Sequence, residues 1–110
     1  MDALTMESVA EKTLQAVMHR YAAPHSYRTL SIFDHTTGNY LLMDEGWEKY
    51  RRIYRVWAHV EIKNGKFWIH EDGTEEGIAS LLLQSGTPSD QIVLAFDAPN
   101  LRAASEFAVT

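Results

Sequence analysis

The chain has 110 residues, with ten Lys plus Arg against 15 Asp plus Glu and a formal charge of −5, which reads as one domain with a single hydrophobic core. Its 45% hydrophobic and 23% charged content excludes intrinsic disorder, and the absence of cysteine excludes disulfide frameworks, thiol nucleophiles and iron–sulfur clusters. No apolar stretch, neither Leu81-Leu82-Leu83 nor the five residues Ile92 to Phe96, approaches the length of a membrane span, and the first residues are acidic where a secretory signal is basic, so a cytoplasmic protein is expected.

From Thr5 to Ala22 the residues Met6, Val9, Ala10, Thr13, Leu14, Val17, Met18 and Tyr21 recur at spacings of three and four, which predicts an amphipathic helix. Ser8 with Glu11 suits a capping box, or Thr5 caps an earlier start; Pro24 makes Ala23 a poor helical residue. Arg28 to Asp34 and Tyr40 to Glu45 are β-favouring runs joined by His35-Thr36-Thr37-Gly38-Asn39, which predicts a hairpin. Gly46-Trp47 interrupts the pattern before Arg51 to Ile62, which alternates as the longest strand.

Lys63-Asn64-Gly65-Lys66 is the sharpest local signal, because Asn-Gly between alternating runs suits a type I′ turn. Counting outward, Lys63 faces Lys66, Ile62 faces Phe67, Glu61 faces Trp68, Val60 faces Ile69 and His59 faces His70. Asp72 or Thr74 then caps a second helix carrying Ile78, Leu81, Leu82 and Ser85 on its buried stripe, which ends at Gly86 before Pro88. Ile92 to Phe96 predicts a buried strand, and Leu101 and Phe107 dock the tail. The fold class expected is α+β: an N-terminal helix, an antiparallel sheet of about four to five strands built from two hairpins, a second helix, a C-terminal strand and a docked tail.

That register gathers Arg55, Trp57, His59 and Glu61 with Trp68 and His70 on one mixed face. Two imidazoles and a carboxylate form a ligand set for a metal-dependent nuclease or hydrolase using His59, His70 and Glu61. The plainer reading is a half-solvated face whose histidines only hydrogen-bond, with no metal, cofactor or catalytic residue. Glu61-Ile62-Lys63 also matches a short nuclease signature with Asp44 or Asp34 upstream, but such triplets arise by chance. Trp57 and Trp68 beside histidines have the composition of a protein contact surface, and equally that of a face packed under a helix. The acidic run from Glu71 to Glu76 is explained by helix capping. Arg51, Arg52 and Arg55 form the basic cluster; Glu48 and Glu61 flank it, and the net negative charge disfavours direct nucleic-acid binding.

Several strings in fixed order carry a resemblance: Gly46-Trp47, Arg51-Arg52-Ile53-Tyr54, His59 through Ile69, Asp72 through Ala79, Gly86-Thr87-Pro88, Ile92 through Phe96 and Glu106-Phe107-Ala108. Together they closely resemble the XisI family of cyanobacterial fdxN-element excision controlling factors over nearly the whole chain. Asp97-Ala98 departs from the His or Gln followed by Pro expected ahead of Pro99. The resemblance implies a small α+β protein without carried-over catalytic residues. It would support excision of a DNA element by a site-specific recombinase, acting with an XisH-like companion that resembles an endonuclease-fold protein. Trp57, His59, Glu61, Trp68 and His70 are the expected partner contacts, and self-association through the same face is compatible with them.

Overall fold

The computed structural model describes residues 1–21 and 24–110. In chain order its elements are α1 (Ala3–Arg20), β1 (Tyr27–Asp34), β2 (Asn39–Glu48), β3 (Arg51–Lys63), β4 (Lys66–Asp72), α2 (Ile78–Gln84), a 3₁₀ turn (Ser89–Gln91), β5 (Ile92–Leu94) and a four-residue α3 (Pro99–Arg102). The strands form one sheet in sequence order. β1 to β4 run as an antiparallel meander, while β5 pairs with β4 in parallel. Parallel pairing needs a crossover, and α2 supplies it.

The first helix begins earlier than Thr5 or Ser8. Asp2 is its N-cap, accepting the Thr5 amide through Oδ1 at 2.8 Å, so the start gains a capped turn ahead of the apolar stripe. The helix ends at Arg20, and the expected boundary at Ala22 and Ala23 lies outside the described residues. Met6, Ala10, Thr13, Leu14 and Val17 are buried, as their spacing requires.

The hairpin between β3 and β4 turns on Asn64 and Gly65 at φ of 54° and 73°, the left-handed pair a type I′ turn demands. Lys63↔Lys66, Ile62↔Phe67, Glu61↔Trp68 and Val60↔Ile69 all pair as counted. The count then fails by one: His59 pairs with Glu71, not His70, because a bulge gives β4 an extra residue. A second correction concerns Gly46-Trp47, which does not break the strand: β2 continues to Glu48 and reverses at Lys49-Tyr50, so the first four strands are one meander.

Both α1 and α2 pack on one face of this sheet. Met6, Ala10, Leu14 and Val17 of α1 and Ile78 and Leu82 of α2 meet Tyr40, Leu42, Val60, Phe67, Ile69 and Ile92 of the strands in one core. The second helix starts only at Ile78; Asp72 Oδ2 accepts the Ile78 amide at 2.8 Å, so Asp72 caps it from a distance while residues 73–77 form a loop. Gly86 lies at φ 95°, in the left-handed position expected past the helix end. In the tail, the Ala108 amide donates to the Ile92 carbonyl at 2.8 Å and Phe107 packs against the core. Leu101 does not dock; it is 55% exposed. No helix among the described residues is long and apolar enough to cross a membrane.

Candidate functional site

Side chains of a strand alternate between faces, so the core positions Tyr40, Leu42, Val60, Phe67 and Ile69 fix which residues point away from the helices. On the side opposite α1 and α2 stand His59 and Glu61 of β3 with Trp68 and His70 of β4. His59 Nε2 lies 2.9 Å from Asn39 Oδ1, and His70 Nε2 lies 2.9 Å from Glu61 Oε1. The two imidazole centroids are 4.8 Å apart. Burial lowers the pKa of His59 from its ordinary value, and the neighbouring His70 lowers it further against the opposing pull of Glu61. Trp68 donates its indole N–H to the Lys63 carbonyl at 3.1 Å. Two cations approach its ring, Lys63 Nζ at 4.0 Å and the Arg102 guanidinium carbon at 5.7 Å from the centroid.

The same face continues across β1 to β3 as a mixed aliphatic and charged surface. Ile32, Val56, Tyr54 and Trp47 are all exposed large side chains. Glu45 accepts from Arg28 at 2.8 Å and from Arg52 at 2.6 Å, and these guanidinium groups lower its pKa, Arg28 first. Arg52 also lies over the rings of Trp47 and Tyr54.

Trp57 does not belong to this surface. Leu42 pairs with Ala58 and Met43 with Val56, leaving Trp57 as the extra residue of a bulge in β3. The bulge changes the phase of alternation and turns Trp57 toward the helix side, where its Nε1–H donates to Asp44 Oδ1 at 3.0 Å and its ring meets Tyr21 edge-on at 5.9 Å. Arg55 is displaced to that side with it, its Nη2 lying 3.3 Å from Asp44 Oδ2. The expected grouping of both tryptophans is therefore divided between the two faces.

The same parity takes apart the nuclease-like constellation. Asp44 and Glu61 lie on opposite sides of the sheet, Lys63 stacks on Trp68, and Asp34 accepts from the amide and hydroxyl of Thr37 to close the β1–β2 loop. Among the described residues, no group of three or more His, Asp or Glu side chains is placed to hold a metal ion. The basic cluster is paired as well: Arg51 with Glu48 at 2.9 Å, Arg52 with Glu45 and Arg55 with Asp44.

One feature was missed by the sequence reading. On the helix side, beyond the end of α1, a cleft of about 340 Å³ is lined by Tyr21, Tyr27, Thr29, Asp44, Arg55 and Trp57 among others. Asp44 is buried at its base, 6% exposed. The signal was present: Asp44 follows Tyr40 and Leu42 at the same parity in an otherwise apolar run, which places a carboxylate on the core face.

An open meander sheet backed by helices on one face, with His59, His70 and Trp68 of the other face hydrogen-bonded to Asn39, Glu61 and the Lys63 carbonyl, defines a small α+β protein with a free sheet surface. The chain belongs to the XisI family, whose family model, described as XisI protein, matches residues 1–109. An XisI-like protein from Anabaena variabilis ATCC 29413 has the same fold at TM-score 0.93 and 28% identity, over 99% of this chain and 100% of that one. The fdxN element excision controlling factor XisI from the same organism matches at TM-score 0.77 and 31% identity, with the same coverage. Comparison with curated proteins gave no match.

Proposed function

We propose that this chain is a non-catalytic regulatory protein that controls site-specific DNA excision by binding a companion protein, an XisH-like one, in the cytoplasm. The observation that carries this reading is the sheet face that α1 and α2 leave uncovered, where Trp68, His59, His70 and Glu61 stand beside exposed apolar side chains. Aromatic side chains with a polar surround are typical of the energetic centre of protein interfaces. The net charge of −5 complements the basic surface that an endonuclease-like fold offers to DNA. The related solved protein named as an excision controlling factor is 31% identical over 99% of this chain, which supports the same regulatory class.

Co-purification of the chain with its XisH-like companion tests the reading. A complex is expected at moderate salt, and Trp68→Ala should weaken it by about 2 kcal/mol, the effect of removing an interface anchor. Separate elution of the two wild-type chains would overturn the companion assignment. Light scattering on the chain alone reports whether the same face pairs with a second copy, in which case Trp68→Ala should shift that equilibrium too.

A further inference from the structure

The cleft on the helix side of the sheet is distinct from the surface assigned to the companion, and its base is built around one carboxylate. Asp44 Oδ1 accepts the Thr29 hydroxyl at 2.8 Å and the Trp57 indole N–H at 3.0 Å. Among the described residues Oδ2 accepts a single, long hydrogen bond, from Arg55 Nη2 at 3.3 Å. The carboxylate's side chain is only 8% exposed, whereas that of Arg55 is 53% exposed. A buried carboxylate held by so few donors has unused acceptor capacity at the cleft it lines.

The walls are aromatic. Trp57 and Tyr21 form one side. Tyr27 forms the other, backed by His25 stacked on it at 4.6 Å with an interplanar angle of 10°. The loop can close over Trp57 only because residue 73 is glycine: its amide donates to the Trp57 carbonyl at 2.7 Å, and a Cβ there would come within 2.8 Å of that oxygen. Arg55 already shows what the cleft accepts. Its guanidinium sits at the mouth, 5.8 Å from the Tyr27 centroid and within reach of Asp44.

We propose that this cleft binds a planar organic cation, a guanidinium or amidinium group, which displaces Arg55 and pairs with Asp44 between the rings of Tyr27 and Trp57. An anion is repelled by Asp44 and by Glu76, which holds the Tyr21 hydroxyl at 2.8 Å. A neutral apolar ligand would bury the carboxylate further without supplying a donor. A planar cation supplies two parallel N–H donors to the carboxylate and a face to the rings. Because Arg55 occupies the same carboxylate, it acts as a tethered competitor, and its removal must strengthen binding.

The test is titration of the full chain with benzamidine and with its neutral isostere benzamide, followed by the Trp57 indole N–H resonance (assigned with Trp57→Phe) and by calorimetry. Benzamidine should move that resonance and bind about tenfold more tightly than benzamide, the difference one charge-assisted pair supplies. Arg55→Gln should tighten benzamidine binding by about threefold or more, and Asp44→Asn should abolish it. Arg55 is half exposed, so Arg55→Gln keeps the fold and decides the matter even where Asp44→Asn unfolds. Equal binding of the two probes, or unchanged or weaker binding in Arg55→Gln, would overturn the proposal. Agmatine and an acetyl-Gly-Arg-Gly-amide peptide then separate the sources: binding of the peptide identifies an arginine of another protein, and binding of agmatine alone identifies a free small molecule. None of these readouts depends on the companion, so failure here leaves the sheet-face reading untouched.

Discussion

His59 and His70 meet as a tilted pair, ring centroids 4.8 Å apart and planes at 34°, although they are not register partners; His59 pairs with Glu71, and the bulge in β4 leaves His70 beside it and within hydrogen-bond reach of Glu61. Burial and this second imidazole hold the pKa of His59 below its ordinary 6.5. The unfolded chain therefore binds the proton more readily. The stability associated with His59 is fully present above pH 6.5 and is lost as pH falls from there through the lowered folded value. In His59→Gln, whose amide nitrogen keeps the bond to Asn39, the urea midpoint should change less between pH 7.5 and pH 5 than in the wild type. An equal change in both proteins would reject the assignment.

The hairpin that carries these residues was legible outward from Asn64-Gly65 for four pairs, because a two-residue turn fixes register and an alternating pattern maintains it. It failed at His59 because a bulge at His70 has no composition of its own; no glycine or proline marks it. The bulge at Trp57 is equally silent in sequence, yet it decides that one tryptophan faces the helices and the other does not. Register arithmetic thus located the site but could not assign all its members to one face. The late start of α2 has a different cause: Asp72, Thr74 and Glu75 are good N-terminal residues, but Asp72 belongs to β4 and reaches the helix by its side chain across the loop.

The two tryptophans should consequently report on different properties. Trp57→Ala removes a ring packed against the core and the indole donor to Asp44, and should cost about 3 kcal/mol of folding stability. Trp68→Ala removes a half-buried ring on the open face and should cost about 1 kcal/mol, with its main effect on the companion complex. Chemical denaturation of both variants checks the ordering.

Gly38 and Gly65 share φ of 73°, but their surroundings differ. A Cβ at Gly65 meets nothing within 4 Å, whereas at Gly38 it would lie 2.8 Å from the Ile62 carbonyl oxygen. Gly65→Ala should therefore cost only the left-handed conformation, about 1 kcal/mol. Gly38→Ala adds a backbone overlap where the Ile62 amide donates to the Gly38 carbonyl, for a total of about 3 kcal/mol. Thermal melts of the pair would refute this if the two losses were equal.

Asp72 ties β4 to α2 and to the loop between them through three bonds, accepting from the Ile78 amide at 2.8 Å, the Thr74 amide at 3.0 Å and the Thr74 hydroxyl at 2.6 Å. Asp72→Ala should destabilise the fold by about 2 kcal/mol, and Asp72→Asn, which keeps an acceptor, by less than half of that. Urea titration of both variants distinguishes capping from bulk charge.

The parallel pairing of β5 also sets an order of assembly. Strands β1 to β4 join through short reversals, so their contacts close small loops, whereas Phe67 meets Ile92 only after 25 steps of chain, and the isolated Val93–Ala108 bridge is added on the outer side of β5. Short-range pairs form quickly and long-range ones slowly. The antiparallel ribbon is accordingly the early scaffold, and β5 with the last residues is the late seal, first to detach in sub-global opening. Amide exchange along the chain should record that sequence of events as a gradient, slowest in the middle of β3 and fastest at the margin where the C-terminal segment is stitched on.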